Sequence, residues 1–389
     1  MAVSVTTTAP SVHLAKTLVA FTLTAIMSSG QLYLVIPLLH DMAGEWGTSA
    51  AGLSWMVTAF GVGYAAGFLI FGPLSDRYGR RRLVSIGLPL AALATALVAL
   101  SPSMEVALGL RVLQGVAVAI FPPAALSYVA ERLDSRRRMV AITTITSGFL
   151  AAAVLAQVAA QSLVGTLGWR GLFLASAVLF AATFVANRAI MRQDPPVLAG
   201  GSLATVYRAY PALLRRPELA LRYVGTVVIL GSFVAVYAGL QLGGADNLLA
   251  LRASGLPSMI VIPLVMPWLA RIPATRRALL AFTLGAASLA LVGLTSPGSL
   301  GLGLLLAVYV ATIALVAPSI NEAIAGLAGQ ARGAAVALFT FSLFLGASLG
   351  PQVAAAFPDF STLMYGLAGA LLLGAIAIHT ATRFERPAP

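Results

Sequence analysis

Four arginines and one aspartate lie in a short run between two apolar stretches of this chain. The run is Gly72-Pro73-Leu74-Ser75-Asp76-Arg77-Tyr78-Gly79-Arg80-Arg81-Arg82. An aspartate in such a run can pair with an arginine or face the N-terminus of a helix, where unpaired amides favour negative charge. The chemistry indicated is charge pairing at a boundary between apolar segments, and not bond making.

A second charged group lies inside an apolar stretch, in Leu110-Arg111-Val112-Leu113-Gln114-Gly115. A guanidinium in the middle of a membrane span costs about 3 kcal/mol on insertion scales. Arg111 is therefore expected to face a wet cavity or a partner. It can bind an anionic group or tune the pKa of a nearby carboxylate.

The other residue types exclude most catalytic chemistry. The sequence has no cysteine and only three widely separated histidines. It contains no Ser/His/Asp arrangement and no G-x-x-x-x-G-K-[ST] loop for phosphates. We therefore predict no enzyme, no metal site and no cofactor.

Composition identifies the elements that must position these charges. The chain has 389 residues, of which 59% are hydrophobic and 9% charged, whereas a soluble domain carries about 25% charged residues. Lipid is the solvent that such a surface needs, and about 20 residues cross a bilayer as a helix. Twelve spans are predicted: 17–39, 52–71, 83–101, 106–130, 139–161, 171–190, 219–241, 248–270, 278–296, 300–320, 333–355 and 362–381.

Positive charge is concentrated in the loops that follow the even-numbered spans and in the tail. Only Arg170 and Arg252 fall near the other side. The positive-inside rule then predicts a multi-pass protein of the cytoplasmic (inner) membrane with both termini in the cytoplasm. The net charge of +12 is thus a topology signal, and no nucleic-acid partner is expected because no basic face is interleaved with aromatic residues.

A polar, proline- and glycine-containing connector at 192–217 separates two sets of six spans. The predicted domains are an N-terminal bundle (1–191), this linker and a C-terminal bundle (218–389). A shift of 194 residues places Pro73 on Pro267 and Arg77 on Arg271, but Asp76 on Ala270. The second copy therefore lacks the acid at that position.

The run that contains Asp76 resembles the G-x-L-[SA]-D-R-x-G-R-[RK] signature of the major facilitator superfamily, and the Arg111 segment resembles its R-x-x-Q-G motif. The resemblance implies an all-α integral membrane fold of twelve transmembrane helices in two pseudo-symmetric six-helix bundles. It also implies a conformational latch, with Asp76 facing the start of span 11 near 332–335. The latch residues are Gly72, Asp76, Arg77, Gly79, Arg80 and Glu131, with Asp134 as another candidate acid. Arg111, Gln114 and Gly115 are implied in transport or coupling.

Span 5 departs from the pattern of drug–proton antiporters in this family. Gln157 stands where their G-x-x-x-G-P-x-x-G-G motif has proline. A similar motif lies in span 11 instead, where Gly346, Gly350 and Pro351 predict a close approach and a kink. At the start of span 6, Gly168-Trp169-Arg170 resembles another family motif and fits an interfacial anchor.

Polar and aromatic residues at cavity-facing depth are expected to meet a substrate. They are Gln31, Tyr33, Tyr237, Gln241, Tyr309, Phe341 and Phe344. Aromatic walls with few fixed charges suit an amphipathic organic molecule better than a sugar.

These features predict a monomeric secondary active transporter in the lipid bilayer that exports a small amphipathic compound by alternating access. A proton is the expected counter-ion, although no acid lies in the middle of a span. One alternative is a carrier, for uptake or for export, of a small organic anion bound through Arg111. Another is a non-transporting membrane receptor or scaffold.

Overall fold

A computed structural model describes residues 14–193, 203–245 and 247–385. Within these ranges every regular element is a helix. Lipid offers no partner to backbone amides and carbonyls, so a chain of this composition must satisfy them inside helices. The predicted all-α membrane fold is confirmed.

Four helices of the first set are separate elements. They are α1 (Leu14–Leu34), α2 (Trp55–Tyr78), α3 (Arg80–Ala99) and α4, which has two segments (Met104–Val118 and Phe121–Arg132). A short 3-10 turn, Ile36–Leu38, and a helix, Leu39–Trp46, extend α1. The four-residue helix Ala50–Leu53 precedes α2.

Predicted spans 5 and 6 form one continuous helical element, Ser135–Ile190, of 56 residues. A straight helix of that length would measure about 84 Å, against about 30 Å of hydrocarbon. Gly168 interrupts it with φ 65° and ψ 171°, a conformation that glycine adopts without steric cost. The break divides the element into α5 (135–167) and α6 (169–190). Eleven helical stretches, not twelve, qualify as membrane spans by length and hydropathy among the described residues, because 151–190, which includes the break, counts as one stretch.

The second set follows a linker helix, Leu203–Leu214. It comprises α7 (Pro217–Leu242), α8 in two segments (Leu248–Ala253 and Leu256–Leu269), α9 (Ala274–Thr295), α10 (Ser299–Leu327), α11 (Arg332–Ala355) and α12 (Phe360–Thr382). A 3-10 turn, Gly329–Ala331, precedes α11.

Each set packs mainly within itself. In the first, α1 lies against the α5–α6 element and α2 lies against α4. Helix α3 packs against the α5–α6 element and against α4. In the second, α7 packs on α11 and α12, and α9 on α10 and α12. The α2–α11 contact joins the sets. Large apolar side chains on the outside are highly exposed, such as Leu300 at 79% and Leu294 at 72%, as expected for helices in lipid.

Glycines set the closest helix contacts. A Cβ on Gly115 of α4 would lie 2.2 Å from the carbonyl oxygen of Phe60 in α2. One on Gly346 of α11 would lie 1.8 Å from the carbonyl oxygen of Val227 in α7. Any side chain at these positions would push the helices apart, and small residues at such contacts are how helices associate tightly in lipid.

The linker helix is tied to α2 through a carbonyl that Pro73 leaves without its helical partner. Proline has no N–H, so residue 73 cannot donate to the carbonyl of Leu69, four positions earlier. The hydroxyl of Tyr210 donates to that oxygen at 3.0 Å, and the hydroxyl of Tyr207 donates to the Ile70 oxygen at 3.1 Å. Burial raises the pKa of Tyr210 to about 12, so this hydroxyl keeps its proton at neutral pH.

We expect Tyr210→Phe to lower the free energy of unfolding by about 1 kcal/mol, because the partly buried Leu69 carbonyl then loses its donor. In a Pro73→Ala background the alanine N–H can serve Leu69, so the same change should cost less. Thermal unfolding of the four proteins in detergent measures both effects. Tyr207→Phe is the matched control, since Leu74 can already donate to Ile70. An equal cost in both backgrounds would contradict this account.

Candidate functional site

The connection between α2 and α3 is a single residue, Gly79, with φ 91° and ψ 140°. Its positive φ explains why the family-like motif has glycine at this position. A Cβ on Gly72 would meet nothing within 4 Å, so no close contact requires glycine at that position in this conformation. The side chain of Asp76 lies outside the described part of the structure, and its role in a latch stays a prediction.

An ion pair joins Arg80, the first residue of α3, to Glu131 at the end of α4. The sequence proposed Glu131 and Asp134 as partners of Arg77 and Arg80. Asp134 instead caps the start of α5 by accepting from the Arg137 amide at 3.1 Å. Arg77 is exposed, with its guanidinium 5.8 Å from the ring centroid of Tyr78.

The second set carries a corresponding ion pair. Arg277, in the first turn of α9, pairs with Glu322 near the end of α10. The 194-residue shift missed this acid because the comparison looked within one loop, whereas the partner lies on the next helix. Both sets thus tie their third and fourth helices together at the end of the molecule that carries the arginine-rich loops, here called the arginine end.

Arg111 lies inside the first set and is fully buried. It donates from Nε to the Met56 oxygen at 3.0 Å, from Nη2 to the Gln31 carbonyl oxygen at 2.9 Å, and from Nη1 to Gln114 Oε1 at 2.7 Å. Its Cζ lies 4.4 Å from the centroid of the Phe60 ring. The guanidinium therefore holds α1 and α2 to α4.

Gln114 completes this network. Its Nε2 donates to Gln31 Oε1 at 3.1 Å and to Thr95 Oγ1 of α3 at 2.8 Å. With Gly115 in backbone contact with α2, the R-x-x-Q-G motif connects four helices of one set. Gln31, expected in a cavity, is 1% exposed and belongs to this network.

The motif of α11 packs against α7. A Cβ on Gly350 would lie 2.8 Å from the carbonyl oxygen of Gly231, and Gly346 makes the even closer contact with Val227. The helix continues through Pro351 to Ala355. The glycines thus have a packing role within the second set.

Several predicted cavity aromatics meet between the two sets. Tyr33 of α1 contacts Phe233 of α7 at 6.2 Å between ring centroids, and Phe233 contacts Tyr237 at 4.9 Å. Phe344 of α11 lies 4.6 Å from Tyr64 of α2.

The remaining predicted aromatics do not join this contact in the same way. The Tyr309 hydroxyl donates to Ser232 Oγ at 2.8 Å inside the second set, and Phe341 is half-buried. A cleft of about 300 Å³ lies at the end opposite the arginine end, beside His40, Gly239 and Phe360. None of the seven predicted cavity residues lines it.

Sequence reasoning missed the cluster around Arg252. This residue, which the sequence placed near the outer boundary, is 1% exposed. Its guanidinium donates to the side-chain oxygens of Gln157 and Gln161 on α5 and of Gln241 on α7. The signal in the sequence was the same as for Arg111: a permanent charge within an apolar stretch.

A second polar contact between the sets lies at the same end as Arg252. Thr58 Oγ1 of α2 donates to the Ser348 carbonyl oxygen of α11. Gln352 Nε2 donates to Ser54 Oγ at 2.9 Å. In the described part of the chain, the hydrogen bonds between α1–α6 and α7–α12 therefore lie at the end opposite the arginine end.

Comparison with known sequences identifies the family. The model described as Major Facilitator Superfamily matches residues 21–351. A "Probable transporter SCO4007" of Streptomyces coelicolor is 30% identical, over 84% of this chain and 78% of its own length. The "Methylenomycin A resistance protein" of Bacillus subtilis is 27% identical over 56% of this chain and 48% of its length. The "Multidrug efflux pump LfrA" of Mycolicibacterium smegmatis is 33% identical over 36% of this chain and 28% of its length.

Among solved structures, the crystal structure of the nucleoside transporter NupG (D323A mutant) is similar to this fold, with a TM-score of 0.73. The similarity covers 95% of this chain and 99% of that one at 15% identity, which bears on the fold alone. The family match spans most of the chain, and a relative 30% identical aligns over most of both lengths. The chain is a multi-pass membrane transporter that belongs to the Major Facilitator Superfamily.

Proposed function

We propose that this transporter exports a small amphipathic organic compound by alternating access across the cytoplasmic membrane, driven by a proton counter-flow. The observation that carries the proposal is the contact between the two sets of helices. Its hydrogen bonds lie at one end, and its aromatic contacts extend from there to Tyr64 and Phe344. Such side-chain contacts can break without unfolding either set. A rocking motion of two rigid sets around a central pocket requires a joint of this kind.

Direction and location are part of the same proposal. The arginine end is taken as cytoplasmic by the positive-inside rule, which makes the joined end the outer one and the described state closed to the outside. Export is supported by the relatives whose names report resistance and efflux. The protein is proposed to act as a monomer, with residues 1–191 and 218–389 as the moving domains and no catalytic step.

A carrier of an organic anion is the second candidate. It is favoured by two fully buried arginines, Arg111 and Arg252, neither of which pairs with a carboxylate in the described residues. Arg111 donates to two main-chain carbonyl oxygens and to Gln114, all within one set, whereas Arg252 lies between the two sets.

Purified protein in proteoliposomes, tested with a panel of anionic, neutral and cationic aromatic compounds, decides between these functions. We expect net movement of at least one amphipathic compound, faster when a pH gradient is imposed. Movement that is insensitive to the gradient would remove the proton. No movement of any compound, together with specific binding, would favour the receptor or scaffold alternative.

We expect Asp76→Asn to be produced and folded normally but to lose most of its transport rate, because the amide cannot supply the charge on which the proposed latch depends. Initial uptake into proteoliposomes is the measurement. Asp359→Asn is the matched control, since Asp359 caps α12 at the other end and asparagine caps equally well. An unchanged rate in Asp76→Asn would remove the latch role.

Arg111→Lys should lower the free energy of unfolding by roughly 2 kcal/mol or more, because lysine cannot reproduce the fork that reaches three acceptors. Transport by the remaining folded protein should keep its KM. Thermal unfolding and transport kinetics measure the two effects. A selective loss of affinity for anionic compounds at unchanged stability would instead assign Arg111 to substrate.

A further inference from the structure

The residue that departs from the family pattern in α5 is part of the Arg252 cluster. Gln157 replaces the proline of the antiporter motif, and its Oε1 accepts from Arg252 Nε at 3.2 Å. Its Nε2 donates to the Ala153 carbonyl oxygen at 2.7 Å, which fixes the orientation of the amide. The departure therefore supplies an acceptor to a guanidinium from the other set of helices.

The neutralisation of Arg252 is incomplete. Its three acceptors are neutral amide oxygens, on Gln157, Gln161 and Gln241, and no ion pair links it to a carboxylate of the described residues. A carboxylate can accept two parallel hydrogen bonds from a guanidinium and also brings an opposite charge, neither of which a neutral amide oxygen can supply. An incoming carboxylate can therefore displace glutamine side chains, which rotate away, whereas it cannot displace the main-chain carbonyls that hold Arg111.

A hydroxyl beside the Arg252 cluster has no hydrogen-bond partner among the described residues. The hydroxyl of Tyr237 is buried and forms no hydrogen bond with the described residues. Tyr237 lies one helical turn before Gln241 on α7, so both side chains project from the same face. A Cβ on Gly255, three residues after Arg252, would lie 3.4 Å from the Tyr237 hydroxyl. A buried donor without an acceptor is destabilising, so an acceptor supplied by a ligand would be favourable here.

The surroundings match an organic body attached to the anion. The Phe233 ring packs between Tyr33 and Tyr237, which provides an aromatic surface from both sets beside the charged cluster. A ligand with one negative charge would balance the charge of the cluster, because Arg252 is its one cation in the described structure. His40 contributes a ring nitrogen 3.2 Å from Gln241 Nε2 and closes the cluster at the end of the molecule.

We propose that Arg252 and Tyr237 bind the carboxylate of a monovalent aromatic acid between the two sets of helices. When no ligand is bound, the three glutamine side chains accept the hydrogen bonds of the guanidinium. This proposal rests on the proposed transport function and names its substrate class. It assigns the anion to Arg252 instead of Arg111.

Thermal unfolding of the purified protein in detergent, with benzoate or its neutral analogue benzamide, tests the site. A ligand that binds only the folded state raises the midpoint temperature, and the rise grows with the logarithm of ligand concentration above its dissociation constant. We expect benzoate to stabilise the protein and benzamide not to. Arg252→Gln should abolish the effect, whereas Arg170→Lys should retain it, because Arg170 pairs with Glu45 outside the cluster.

Tyr237→Phe guards against a variant that simply misfolds. Its hydroxyl has no partner in the described structure, so without ligand its unfolding temperature should be unchanged or higher. Its affinity for benzoate should fall about tenfold or more, the loss expected for one hydrogen bond to a charged group. Failure of benzoate to stabilise the unmodified protein would overturn the proposal. So would equal stabilisation of the unmodified protein and both cluster variants.

Transport separates this inference from the function on which it rests. If benzoate binds as expected but no compound moves in proteoliposomes, the transport function falls and the anion site remains. If neutral or cationic compounds move equally well with Arg252→Gln and benzoate does not bind, the transport function remains and the anion site falls.

Discussion

Polar groups inside lipid have no water to bond with, so a partner within the protein stabilises them strongly. This constraint explains the interior of the molecule more fully than apolar packing does. Arg111 is held by two main-chain oxygens and a glutamine. The carbonyl that Pro73 leaves open is served by a tyrosine of the linker helix. In each case the polar partner also fixes which helices are neighbours.

The two buried arginines meet this constraint in different ways. Arg111 uses oxygens of the helix backbone within one set, and these acceptors cannot leave without unwinding a helix. Arg252 uses side-chain amides from α5 and α7, which belong to different sets. The first arrangement stabilises a unit that stays intact, and the second lies where the proposed motion separates two units. Their similar burial therefore conceals different roles.

Much of the fold was predictable because hydropathy and charge act over whole segments. Spans of about 20 apolar residues and the arginine-rich loops between them depend on composition, and not on contacts between distant residues. The sequence also separated spans 5 and 6 and placed Gly168 at the start of span 6, but it did not predict that helix continues up to this residue from both sides. Arg80 forms an ion pair with Glu131, one of the two acids that the family resemblance offered for Arg77 and Arg80.

Contacts between helices far apart in sequence were not predictable. Gln31 is a polar residue at a depth typical of the cavity, yet its side chain accepts a hydrogen bond from Gln114. Gln157 was recognised as a departure from the pattern, but its partner Arg252 lies 95 residues away. The acid that pairs with Arg277 was sought in the same loop and lies on α10. In all three cases, the missing information was which helix faces which.

The one-residue connection at Gly79 has a mechanical consequence. A connection of one residue does not let the two helices move independently, so a tilt of α2 must also move the beginning of α3. The Arg80–Glu131 ion pair joins α3 to α4. A force on α2 at its contact with α11 is therefore transmitted to α3 and α4 as well. The helices of the first set would then rotate together as one rigid unit. The axis of this rotation would depend on how the helices are connected, and not on the strength of any one bond.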